Sequence, residues 1–145
     1  MDCRSSEGQA MSWIRPPEGK ITEHFSWHEA ACRHCGLVPS IEEVRKTAEW
    51  LEKVRAALGR PMKVLSWCRC PKHNRAVGGA PNSYHLRGWA VDFTCKDLSP
   101  LHVRGDRLHP NREKLAIGGL GCYAGFTHID RRKKQATWAE DGVVE

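Results

Sequence analysis

The sequence lacks any long apolar run. No stretch approaches the roughly 20 consecutive apolar residues that a membrane-spanning helix needs, so membrane insertion is not expected. The first residues, MDCRSSEGQAMSWIRPPEGK, hold no apolar core of the secretory type. The expectation is a chain made in the cytoplasm without a signal peptide; work outside the cell would then need delivery by another factor. There is no internal repeat and no low-complexity tract. Helix-turn-helix, zinc-finger and RNA-binding motifs are missing too, so nucleic acid is not an expected partner.

What is present fits one folded unit. The 145 residues suffice for a single domain, and 40% hydrophobic with 28% charged residues is ordinary globular composition. A monomer is expected. The net charge is +6, and part of it sits in Arg131-Arg132-Lys133-Lys134, read as a solvated strip. The seven cysteines are an odd number and cannot all pair within one chain.

Residues 1–20 show scattered charge and Pro16-Pro17 without apolar periodicity and read as a flexible arm; residues 21–145 form the domain. Ser26-Trp27-His28-Glu29 has the form of a helix capping box. The spacing of Val44, Ala48, Leu51, Val54 and Leu58 predicts an amphipathic helix over residues 40–58, with Ser40 and Glu43 as a second capping box and Gly59 as its stop. Strands are predicted at 62–66 and 89–94, one or two helical turns at 71–77, a loop over 97–112 and a short helix at 111–117. Gly118-Gly119-Leu120-Gly121 reads as a turn, and 122–123 with 126–130 as a hairpin. Strict alternation of strand and helix is absent. The expected class is therefore α+β, with a mainly antiparallel sheet.

Chemistry concentrates in two places. In SYHLRGWAVD, His85 enters a strand that carries Asp92. Far along the chain, FTHID places His128 and Asp130 on one strand face, because side chains two apart point the same way. Two histidines and one carboxylate leave one corner of a tetrahedral zinc open, the arrangement of a hydrolytic rather than a structural site.

The segment SWCRCPKHNRAVGGAPNSYHLRGWAVDF resembles the core of the zinc D-Ala-D-Ala carboxypeptidase family, which includes peptidoglycan peptidases and phage endolysins. The likeness rests on Ser66, Arg69, His73-Asn74, Gly78-Gly79, Ser83, His85, Gly88, Ala90 and Asp92 in that order. It extends over residues 21–138, and GGLGCYAGFTHIDRR with Trp138 is similar to the phage-associated and wall-endopeptidase branch. The resemblance implies one catalytic Zn2+ on His85, Asp92 and His128. It implies that Arg69 binds substrate and steadies charge on the scissile carbonyl, and that the partner is a peptidoglycan peptide with a D-residue beside the cut. For Ser83, beside Tyr84, two roles stay open: bonding substrate or shaping the turn.

One departure stands out. Where many members of that family carry an acidic residue, three before the last histidine ligand, this chain has Gly125. Asp130 is the expected catalytic base in its place, with His102 and His109 as alternatives. A non-catalytic wall- or protein-binding module is the competing reading. Cys32, Cys35, Cys68 and Cys70 leave three readings open: a second, structural zinc, a disulfide, or unlinked thiols.

Overall fold

The computed structural model describes residues 13–140. Its longest element is α2 (Ile41–Leu58), preceded by the single turn α1 (Trp27–Ala30). The apolar spacing does what it predicts: Val44, Ala48, Leu51, Val54 and Leu58 are buried. Ser26 and Glu29 complete their capping box. The second box is half formed. Ser40 Oγ accepts from Glu43 N at 3.1 Å, but the Glu43 carboxylate turns away to Trp89 Nε1 at 2.7 Å and to Arg131. Gly59 ends the helix in the left-handed region at φ 68°, a conformation that costs a glycine little.

Five strands follow: β1 (Met62–Ser66), β2 (Ala90–Cys95), β3 (Gly119–Cys122), β4 (Thr127–Asp130) and β5 (Ala136–Ala139). They lie in the order β1-β2-β4-β3-β5. All pairs are antiparallel except β3 with β5, so the α+β expectation holds. Alternation divides the faces of the sheet. Val91, Phe93, Leu120 and Ile129 join Val44, Leu51, Val54 and Leu58 in one buried apolar cluster. The opposite face carries a cross-strand row in which Ser66 pairs with Asp92, Asp92 with His128, His128 with Gly121, and Gly121 with Trp138.

Several expectations are corrected. Residues 13–20 are not a loose arm: Trp13 is in the core and Ile14 forms a β-bridge with Val38. A single anchoring tryptophan leaves no periodicity for a sequence reading to detect; residues 1–12 lie outside the described part. The predicted loop over 97–112 coils into consecutive helical turns, Pro100–His102 and then Val103–Leu108 and His109–Asn111, because Val103 and Leu108 are buried. The predicted helix over 111–117 is a turn, with Ala116 at φ 54°. Gly119-Leu120-Gly121 is strand rather than turn. These glycines serve close packing. A Cβ on Gly119 would lie 2.1 Å from Asp130 Oδ2, and one on Gly121 2.4 Å from Trp138 Nε1.

Candidate metal centre

His85 sits in a single helical turn, Tyr84–Arg87, whose start is capped by Ser83 Oγ accepting from His85 N at 3.2 Å. The turn ends at Gly88, φ 74°, and the Gly88 carbonyl is held by Thr47 Oγ1 at 2.7 Å and Trp67 Nε1 at 3.0 Å. The His85 ring is thereby fixed at its root. Its Nδ1 lies 2.7 Å from the Trp67 carbonyl. A carbonyl only accepts, so Nδ1 carries the proton and Nε2 is left with a lone pair. That buried Nε2 has no hydrogen-bond partner; Asp92 Oδ2 is 3.3 Å away, outside hydrogen-bond geometry. A buried orphan nitrogen aimed at a carboxylate is what a metal ligand looks like without its ion.

His128 uses both ring nitrogens. Nδ1 lies 2.8 Å from Asp92 Oδ1, and Nε2 lies 2.8 Å from Asp130 Oδ2. Both carboxylates can only accept, so both nitrogens donate and the ring is an imidazolium. Burial alone would lower the His128 pKa, but the bonds to Asp130 and Asp92 raise it. Burial dominates at His85 and keeps its pKa below the ordinary value. Burial pulls Asp92 upward, yet the His128 and His85 rings hold it well below the usual carboxylate range.

The donor atoms of His85, Asp92 and His128 all lie within 4.8 Å of one another. Two imidazole nitrogens and one carboxylate suit zinc, and a cation among them would take the place of the proton on His128 Nδ1. The three line the floor of a pocket of about 680 Å³ walled by Tyr84, Tyr123, Phe126 and Trp138. The residues present therefore fit the metal that the sequence implied.

A model of the peptidase M15 family matches residues 23–130. The chain belongs to the peptidase M15 family. No curated protein matches it. The peptidase M15 family is zinc-dependent, and the converging His85, Asp92 and His128 form a group that could hold the metal.

The remaining sequence-derived candidates fall into different places around this peptidase M15 site. Arg69 and Ser83 line the pocket. Burial lowers the Arg69 pKa, with Asp92 and Tyr123 opposing, and its buried Nε makes no hydrogen bond. Asp130 is fully buried on the far side of the His128 ring from Asp92. Its carboxylate also accepts from Arg132 N at 3.1 Å, Nε at 2.8 Å and Nη2 at 2.7 Å. Burial pulls its pKa up, but His128 and Arg132 hold it well below the usual range. An expected base thus stands saturated with donors, away from the pocket mouth. His102 is exposed and bonded to Ser99 at 2.7 Å, and neither it nor His109 lines the pocket. Gly125 has nothing within 4 Å of its Cβ position.

Other residues around the site had no role assigned from the sequence. Tyr123 stacks on Phe126 at 4.4 Å and its hydroxyl accepts from Trp138 Nε1 at 2.9 Å. Asn74 Nδ2 donates to the Ala80 carbonyl at 2.8 Å across Gly78-Gly79, where a Cβ on Gly79 would meet Asn74 Oδ1 at 2.0 Å. That contact is the physical content of the paired His-Asn and Gly-Gly motifs. The basic run also divides. Arg131 is bound to Thr47 and Glu43, and Arg132 to Asp130, leaving Lys133 and Lys134 as its exposed members.

Proposed function

We propose that the protein is a zinc metallopeptidase that hydrolyses peptide bonds in bacterial peptidoglycan stem peptides or cross-links. The observation that carries the reading is the orphan His85 Nε2 facing Asp92 and His128 on a pocket floor. Zinc bound there would polarise a substrate carbonyl and lower the pKa of a water molecule.

The protein's own groups supply the rest. Arg69 is permanently charged and has an unengaged Nε; it is suited to a substrate carboxylate or to the oxyanion that develops on the scissile carbonyl. Because the Tyr123 oxygen accepts from Trp138, its own O–H is left to donate into the pocket it lines. Asp130 orients His128 and keeps its Nε2 protonated, so that Nδ1 is the ligand atom. Ser83 shapes the ligand turn through its bond to His85 N. The aromatic walls exclude water from the flanks of an extended peptide.

One observation favours a second reading, a wall-binding module without turnover: among the described residues lining the pocket, Asp92 is the sole carboxylate. Purified protein incubated with muropeptides, with and without a chelator, decides between them by mass spectrometry of the products. The peptidase reading expects chelator-sensitive cleavage at a bond flanked by a D-residue. Intact muropeptides in the zinc-replete sample would overturn it. The same products tell chain-end trimming from cross-link cleavage, and so a carboxypeptidase from an endolysin-like endopeptidase.

A further inference from the structure

Away from this pocket the chain gathers a second set of donors. Cys32 and Cys35 occupy the turn after α1, closed by Gly36 N donating to Cys32 O at 2.8 Å and Cys32 N to Leu37 O at 2.9 Å. Gly36, at φ 75°, takes the left-handed conformation that lets the turn reverse. Such a reversal brings side chains three positions apart onto one side. A third thiol arrives from elsewhere in the chain. Cys70 is the N-cap of α3 (Pro71–Ala76). The three Sγ atoms lie within 4.8 Å of one another. A tetrahedral zinc with Zn–S bonds of about 2.3 Å would hold its sulfurs about 3.8 Å apart.

Burial raises the Cys70 pKa and favours its thiol until a cation binds, but N–H donors face the sulfurs. Cys32 and Cys70 are buried. Cys70 N points at Cys32 Sγ at 3.5 Å, and His73 N at Cys70 Sγ at 3.3 Å. N–H donors of this kind stabilise a charged sulfur and orient it on a metal. His34, inside the turn, stacks on His73 at 5.9 Å.

We propose that in the reduced chain Cys32, Cys35 and Cys70 hold a second, structural zinc, with the fourth position filled by a further donor. Soft thiolates select zinc over the hard cations, and a thiolate-rich set is structural rather than hydrolytic. The site ties the turn after α1 to the loop that carries Arg69, the neighbour of Cys70. That loop is already pinned by Cys68 N donating to Ala30 O at 3.0 Å and Arg69 N to His85 O at 3.0 Å.

Cys35 is disulfide-bonded in this structure, while Cys32 and Cys70 carry thiols. Loading therefore begins with reduction. An external dithiol supplies two electrons and two protons, leaves as its own disulfide, and returns both Cys35 and the sulfur bonded to it as thiols. Zinc then displaces the thiol protons.

Metal content and cobalt substitution of the reduced full chain test the proposal. We expect about two zinc ions per chain, falling to about one both in His85→Ala and in Cys70→Ser. The cobalt form should show thiolate-to-cobalt charge-transfer absorption, retained in His85→Ala and lost in Cys70→Ser. No sulfur lies in the His85 set, so this band reports the cysteines alone, whether or not the Cys70 variant folds. Absence of the band from the reduced parent protein would overturn the proposal. A His85→Ala chain holding as much zinc as the parent, band intact, would instead count against the peptidase site and leave the thiolate site standing.

Discussion

Each nitrogen of His128 meets a different carboxylate, and that asymmetry assigns roles. Asp92 Oδ1 meets Nδ1 on the side of the candidate metal site, whereas Asp130 holds Nε2 from behind while Arg132 saturates it. A carboxylate so engaged fixes a ring; it is poorly placed to take a proton from water in the pocket. Asp130→Asn should therefore weaken zinc affinity by about 10–100-fold, the usual scale for a lost orienting partner. Turnover at saturating zinc should stay close to parental. Zinc dissociation constants and turnover measured on one preparation check this. Unchanged affinity with a collapsed rate would return Asp130 to the role of base.

At the scale of elements, β3 shows why a glycine-rich segment is a strand. Asp130 and Trp138 lie over Gly119 and Gly121, and any side chain there would collide with them. Gly119→Ala should cost about 1–3 kcal/mol, as overpacking does. It should also lower zinc affinity, because Asp130 is held by Arg132 and cannot move aside freely. Denaturation midpoints and zinc binding on the variant test both effects. The sequence read these glycines as turn residues, since composition reports conformational freedom and not what packs above. The α2 face was legible because its apolar residues recur in step. The destination of Glu43 was not, because the carboxylate chose partners from two distant segments, Trp89 and Arg131, over its own helix end. Burial raises the Glu43 pKa, but the bonds from Trp89 and Arg131 and the charges of Arg131 and Lys46 bring it below its ordinary value. Its stabilisation is therefore full above the unfolded glutamate pKa of about 4.3 and is lost as pH falls through the lower folded value. Glu43→Gln should cost up to about 1 kcal/mol at neutral pH for this half-buried pair, with the difference from the parent shrinking in acid. Unfolding midpoints at neutral and acid pH would show it. A constant difference across that range would mean that packing, not charge, is what Glu43 supplies.

For the molecule as a whole, the sheet is a device for lining up one row of side chains. Asp92, His128 and Trp138 reach the same face from three strands, and His85 enters from a turn pinned by α2 and Trp67. The family resemblance pointed to His85, Asp92 and His128, and the structure brings their donor atoms within 4.8 Å of one another. The aromatic walls, the orphan Nε2 and the saturation of Asp130 depend on pairings between residues far apart in the chain, which no local pattern records. No helix among the described residues is long and apolar enough to cross a membrane. The proposed function rests on a metal held by His85 Nε2, Asp92 and His128 Nδ1. Diffraction from zinc-loaded crystals at the zinc absorption edge tests it directly. The expected result is an anomalous peak among those three atoms, with His128 Nε2 still on Asp130. A peak bonded to His128 Nε2, or no peak at this row of residues, would contradict it.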